Sequence, residues 1–294
     1  MKIGLIGVGT MGSRMATALV GAGYTVLARD IDPAAERRAA EIGAQLLGSP
    51  MEVAEGADVV LLSLPMPADV ASVVTGPDGL LAGARAGQVI VDLSTVDPGS
   101  TRKMAAAARE KGVGYLDAPV LGRPQGCGNW TLPVGGDEES LAKARPVLEK
   151  LARRVVLVGP SGHGNVVKLL NNLMFGAINS VTVEVMALCA KVGMPPKVFV
   201  DLVTESGAAT VSNLFKEVGP KVLNRDFTPL FGISLLHKDN ALALAMAKEA
   251  GVPMVLSNAT QLLNEMALAK GLGKEDTAAV VKVYEDLLNL EVKG

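Results

Sequence analysis

Two periodicities divide the chain. Through the first half, short unbroken apolar runs at 2–6, 25–28, 59–64, 88–92, 115–117 and 155–158 alternate with amphipathic stretches near 10–22, 34–43, 67–75, 98–111 and 138–152. Runs of that length, rich in Val, Ile and Leu, predict strands covered on both faces. The stretches between them predict helices. Alternating β and α elements in turn predict an α/β domain, a doubly wound and mostly parallel sheet with helices on both faces.

After Gly164 the strand-like runs stop. One helix is predicted over 165–191, opened by Ser161-Gly162-His163-Gly164 and closed by Gly193-Met194-Pro195-Pro196. At about 1.5 Å per residue it would be roughly 40 Å long. Further helices are predicted near 196–205, 210–217, 233–250, 253–270 and 275–289. The expected division is a sheet domain over 1–161 and an all-α domain over 162–294, which suits a chain of 294 residues.

Composition narrows the function classes. Aromatic residues are only 3% against 49% apolar overall, so aliphatic side chains must fill the core. A net charge of −2 without a basic block predicts neither a nucleic-acid partner nor a charged membrane patch. The greasiest stretch, 173–190, is interrupted by Asn179, Ser180, Thr182 and Glu184, and reads as a buried helix rather than a membrane span. Cys127 and Cys189 lie far apart, and His163 and His237 are the two histidines. No disulfide framework and no metal site is expected, and the default setting is cytoplasmic. Residues 1–12 resemble a signal peptide in hydropathy, but their glycines have a better explanation.

The first strand runs straight into Gly7-Val8-Gly9-Thr10-Met11-Gly12 and a helix. In a dinucleotide-binding Rossmann turn, Gly7 would allow the tight bend, Gly9 would let the backbone approach a pyrophosphate, and Gly12 would let helix and strand pack closely. Thr10 and Met11 would open the helix whose N–H groups meet the phosphates. Asp30, at the end of the second strand, stands where a carboxylate would hold the ribose 2′-hydroxyl, though it also suits a cap for the helix after Pro33. A carboxylate there favours NAD over NADP; Arg29 is the one neighbour suited to a 2′-phosphate. Leu64 and Pro65 after the third main strand would line the adenosine-to-nicotinamide path, and Ser94 and Thr95 after the fourth would meet the nicotinamide ribose or amide, unless either pair is plain helix-capping chemistry.

Asn165, Lys168, Asn172 and Asn179 fall at spacings of 3, 4 and 7 along the long predicted helix, a polar stripe on an otherwise apolar element. Such a stripe at a domain junction predicts a lined cleft. Hydride chemistry at a carbonyl needs a group that gives and takes one proton, and a desolvated lysine does both. Lys168 is therefore the candidate general acid/base. Asn172, one turn on, would orient the substrate hydroxyl or the Lys168 side chain.

Taken together, GLIGVGTMG at 4–12, LLSLP at 61–65, DLSTVDP at 92–98, LDAPV at 116–120, GHGNVVKLLNN at 162–172 and LLHKDNALA at 235–243 resemble the β-hydroxyacid dehydrogenase family across essentially the whole chain. That family includes 3-hydroxyisobutyrate dehydrogenases and tartronate- or succinate-semialdehyde reductases. The resemblance implies an NAD(P)-dependent oxidoreductase that interconverts a short β-hydroxy acid and its semialdehyde. In it Lys168 would be the catalytic lysine, Asn172 the supporting asparagine, Thr95 a residue at the nicotinamide end, and Lys238 a lysine closing over the cofactor. It also implies a homodimer or homotetramer paired partly through the long helix, the all-α domain serving substrate and assembly.

One motif departs from the family pattern. Where members read Asp-Ala-Pro-Val-Ser-Gly-Gly, this chain reads Asp117-Ala118-Pro119-Val120-Leu121-Gly122-Arg123. A hydroxyl donor is lost, and a guanidinium suited to carboxylate, sulfonate or phosphate is gained, unless Arg123 is a solvated loop residue. Leu121, Gly122, Arg123 and Asn171 are the candidate substrate-binding residues. The Gly-Arg pair looks more like the branch that reduces sulfonated aldehydes. The same scaffold would also suit an imine reductase, where the lysine is generally replaced, or a non-catalytic dinucleotide-binding module, where it is lost. Long 6-phosphogluconate dehydrogenases share the N-terminal pattern but carry a far larger helical domain.

Overall fold

The chain, described over residues 1–206 and 212–294 in a computed structural model, begins with strand β1 (Lys2–Ile6), helix α1 (Thr10–Gly21), β2 (Thr25–Arg29) and α2 (Pro33–Ile42). There follow β3 (Gln45–Leu46), α3 (Pro50–Gly56), β4 (Val59–Leu62), α4 (Pro67–Thr75), α5 (Leu80–Gly83), β5 (Val89–Asp92) and α6 (Pro98–Glu110). The sheet is completed by β6 (Gly114–Asp117), β7 (Trp130–Gly135), α7 (Glu138–Leu151) and β8 (Ala152–Gly159). Capping chemistry fixes several boundaries. Asp32, Ser49 and Asp97 each accept first-turn N–H groups, and a proline follows each at the first helical position.

The eight strands run in the order β3-β2-β1-β4-β5-β6-β7-β8. All neighbours are parallel except β6 and β7, which pair antiparallel at Asp117–Gly135. The order reverses between β1 and β4. In such sheets ligands bind beyond the carboxyl ends of the strands at that switch point. Both faces are covered: Ile3, Leu5 and Leu61 pack on one side, Val60, Leu62 and Ile90 on the other.

Four sheet-domain elements were not predicted. β3 has two residues, and α5 four, too short to show a period. α3 carried a readable signal, Ser49-Pro50 followed by Glu52, whose N–H bonds the Ser49 hydroxyl at 3.2 Å. β7 contains Pro133, which ordinarily argues against a central strand. Here β7 pairs along its length with β8 but meets β6 only at Gly135, so the missing N–H leaves little ladder unmade. The strand expected at 59–64 stops at Leu62, because Leu64 N turns to the Ser94 hydroxyl, 2.9 Å away.

By compactness the residues form two units, Met1–Lys168 and Leu169–Gly294. The second is helical: most of α8 (His163–Lys191), then α9 (Pro196–Glu205), α10 (Asn213–Leu223), α11 (Ile233–Glu249), α12 (Val255–Ala269) and α13 (Val281–Leu288). Its core joins Val183, Met186 and Ala187 of α8 to Phe215 and Val218 of α10 and Val281 and Val283 of α13. The helix expected at 210–217 lies partly outside the described residues; the described helix continues to Leu223. The one expected at 275–289 is a 3-10 turn over Thr277–Val280 followed by α13. α8 is long and apolar enough to cross a membrane, and half of that stretch is buried within the protein.

Candidate active site

The glycine turn at the end of β1 is fixed by contact. Gly7 has φ +87°, and a Cβ there would lie 2.2 Å from the Ser63 carbonyl oxygen. A Cβ at Gly12 would lie 1.9 Å from the Gly7 carbonyl oxygen. Gly9 instead faces open space, with nothing within 4 Å of a Cβ position. It is also the N-cap of α1 and supplies no side-chain cap to that helix. An uncapped helix N-terminus behind an open glycine is a fit for a pyrophosphate. Thr10 is exposed beside it, while Met11 is half-buried against the sheet core.

Asp30 sits at this turn. Its Oδ2 accepts from Val8 N at 2.7 Å and its Oδ1 from Asp32 N at 2.9 Å. The cap of α2 is Asp32, which leaves Asp30 to the nucleotide turn. Arg29 turns to Glu36, with Nη1 2.6 Å from Oε1.

The next two strand ends are stitched together. Leu64 N donates to Ser94 Oγ, and Ser94 N donates to Asp92 Oδ1 at 2.9 Å. The Tyr115 hydroxyl donates to Asp92 Oδ2 at 3.1 Å. Ser94 is thus a buried brace, whereas Thr95 beside it is half-buried and Pro65 exposed. Burial pushes the Asp92 carboxyl up to about 6, against the hydrogen bonds of Ser94 and Tyr115, which pull it down. Because this lies above the ordinary 3.8, folding favours the protonated form. That stabilisation is full below about pH 4, is lost as pH rises through about 6, and is worth about 3 kcal/mol. Asp92→Asn removes it. Between pH 4 and 7 the variant should therefore gain about 3 kcal/mol on the wild type in urea unfolding. A pH-independent difference would contradict the assignment.

Lys168 belongs to the first unit, and its Nζ donates to the Val120 carbonyl at 2.9 Å. Val120 opens the atypical Leu121-Gly122-Arg123 segment, so the candidate proton carrier and the candidate substrate loop meet. Asp117, at the end of β6, sets this arrangement. Its Oδ1 accepts from Gly162 N at 2.7 Å and its Oδ2 from Asn165 N at 2.9 Å, which caps the first turn of α8. Burial pushes the Asp117 carboxyl up, and the N–H groups of Gly162 and Asn165 pull it down. Nothing in the sequence alone marked Asp117 for that task.

The loop itself is templated by Trp130, a fully buried residue absent from the expected set. Its Nε1 donates to the Arg123 carbonyl at 2.7 Å. A Cβ at Gly122 would lie 2.4 Å from its Cδ1. Leu121 exchanges main-chain hydrogen bonds with Thr131, and the Leu121 and Arg123 side chains are half-buried.

Two members of the predicted polar stripe of α8 are engaged by the fold itself. Asn165 is buried, accepting from Val96 N at 3.2 Å and donating to Thr101 Oγ1 at 3.2 Å. Asn179 is buried too, donating to the Thr277 carbonyl at 2.9 Å. Both are structural amides. In the second unit, Asn172 donates to Asp239 Oδ2 at 2.5 Å, and Asp239 Oδ1 pairs with Lys238 Nζ at 2.9 Å. Asp239, which sequence reasoning passed over, therefore joins two predicted site residues. Asn171 is exposed and donates to Asn172 Oδ1 at 3.1 Å. Among the described residues, no group of His, Cys, Asp and Glu is arranged to hold a metal.

Comparison with known proteins agrees with this layout. Residues 2–159 match the family model for the NAD binding domain of 6-phosphogluconate dehydrogenase. Residues 162–284 match the model described as NAD-binding of NADP-dependent 3-hydroxyisobutyrate dehydrogenase. The chain is 37% identical to 2-(hydroxymethyl)glutarate dehydrogenase of Eubacterium barkeri, covering 100% of this chain and 98% of that protein. It is 34% identical to 3-sulfolactaldehyde reductase of Escherichia coli, covering 95% and 94%. The crystal structure of a 3-hydroxyisobutyrate dehydrogenase from Salmonella typhimurium superposes with a TM-score of 0.88 at 29% identity, covering 96% and 99%. With a nucleotide turn, a helical second unit and relatives matched over nearly their whole lengths, the chain belongs to the β-hydroxyacid dehydrogenase family, NAD(P)-dependent oxidoreductases that act on the CH–OH group of hydroxy acids.

Proposed function

We propose that this enzyme interconverts a short β-hydroxy acid, or a related alcohol with an anionic group, and its semialdehyde, with Lys168 passing the proton. The observation that carries the reading is the Lys168 amine held 2.9 Å from the Val120 carbonyl, at the entrance to the Leu121–Arg123 segment. That carbonyl fixes the amine at the start of the segment proposed to hold the substrate. In reduction Lys168 gives a proton to the forming alkoxide, and in oxidation the neutral amine takes one. Asn172 holds the substrate hydroxyl, with its amide aimed by Asp239.

Gly7, Gly9, Thr10, Met11, Gly12, Asp30, Leu64, Pro65, Thr95 and Lys238 would hold the dinucleotide, which supplies or accepts the hydride. Asp30 favours NAD, since a carboxylate there repels a 2′-phosphate. Arg123, Asn171 and the Gly122 backbone would hold the anionic group, carboxylate or sulfonate. The domains act as a cofactor domain, 1–161, and a substrate and assembly domain, 162–294. We read the enzyme as a cytoplasmic homodimer or homotetramer with no nucleic-acid or membrane partner. On α8, exposed Leu170, Met174, Val181 and Leu188, spaced at helical intervals, support self-association.

A panel of short semialdehydes and hydroxy acids, bearing carboxylate, sulfonate or neutral ester groups and run with NAD and NADP, tests this reading. Turnover should require the anion. Arg123→Ala should raise KM for the acidic substrate by about tenfold or more and leave KM for the cofactor near its wild-type value. Equal turnover of neutral esters, or an unchanged substrate KM, would remove the anion subsite.

A further inference from the structure

Cofactor choice at the end of β2 turns on two neighbouring charges of opposite sign. Asp30 repels a 2′-phosphate, but Arg29 next to it carries a planar fork well matched to one. The Asp30 carboxylate alone does not settle the choice, because an arginine one residue away could offset it. The structure shows where that arginine is spent. Its Nη1 pairs with Glu36 Oε1 at 2.6 Å and also donates to the Asp30 carbonyl. The same Glu36 oxygen accepts from Asp30 N at 3.3 Å. Hydrogen bonding from Arg29 holds the Glu36 carboxyl below the usual carboxylate range, so the pair is ionised at neutral pH. The two side chains are 30% and 19% exposed, so the pair is neither freely solvated nor sealed off.

We propose that Glu36 is a specificity-determining residue that keeps Arg29 from serving a 2′-phosphate, so that Glu36 and Asp30 together set the enzyme for NAD. The proposal rests on the NAD preference read above. With Glu36 ionised, the Arg29 charge is cancelled within the fold, and Asp30 is left to face an incoming phosphate. With Glu36 neutral, the guanidinium remains tethered to the Asp30 carbonyl, beside the ribose-binding carboxylate. It can then form charge-assisted hydrogen bonds to a phosphate.

The test measures Kd for NAD and NADP by titration calorimetry, alongside kcat/KM with each, in the wild type, Glu36→Gln, Arg29→Ala and the double variant. Glu36→Gln should raise the preference for NADP relative to NAD by about tenfold or more, the worth of one new charge-assisted hydrogen bond. Adding Arg29→Ala should return the ratio to near the wild-type value. Glu36→Ala removes the same charge and gives the same readout if the amide packs poorly. An unchanged ratio in an enzyme that prefers NAD overturns the role of Glu36 and leaves the NAD reading standing. A gain that persists without Arg29 overturns it as well. A wild-type preference for NADP overturns the NAD reading itself, and the role of Glu36 falls with it.

Discussion

Replacing Lys168 with alanine should lower kcat by about 10²–10⁴, the usual worth of a positioned acid or base, while NAD still binds. The glycine turn and Asp30, which would hold the dinucleotide, keep their own contacts in the variant, so cofactor titration should change little. Lys168→Arg sharpens the test. An arginine keeps the positive charge but does not give up its proton at ordinary pH. It should be nearly as inactive as the alanine variant. Near-normal turnover with arginine would make the side chain an electrostatic anchor and not a proton carrier.

The second large effect is on stability. The Lys238 and Asp239 side chains are 13% and 4% exposed, and Asn172 adds a third buried group. Breaking a buried ion pair by removing one partner is strongly destabilising as a rule, so Asp239→Ala should destabilise the protein by about 3–5 kcal/mol. Asp239→Asn keeps an acceptor for the Asn172 amide and should lose less. Chemical denaturation reads both. A loss below about 1 kcal/mol for the alanine variant would show that the contacts of Asp239 contribute little to stability.

The fold was legible where chemistry is local. The glycine turn, the switch from strand-like runs to helices, and the lysine on the long helix are all carried by residues close together in the chain. The site residues that were missed depend on side-chain contacts that no local pattern marks. Asp117 caps a helix 45 residues later, and Trp130 anchors a carbonyl across a turn. Asp239 meets an asparagine 67 residues before it. No period or spacing reports such partners. The polar stripe of α8 misled for the related reason that an amide lining a cleft and an amide satisfying a buried main-chain group look identical in sequence. β7 was hidden by Pro133, whose cost depends on which edge of the strand is paired.

The indole of Trp130 grips main chain, not a side chain: the carbonyl of residue 123 and the bare α-carbon of residue 122. A carbonyl is present whatever amino acid occupies position 123, so substitutions there, and at 121, can change the side chains of the proposed substrate segment while the backbone keeps its path. Position 122 has no such liberty. Descendants of this protein can thus vary two side chains flanking one immovable glycine, without renegotiating the architecture each time.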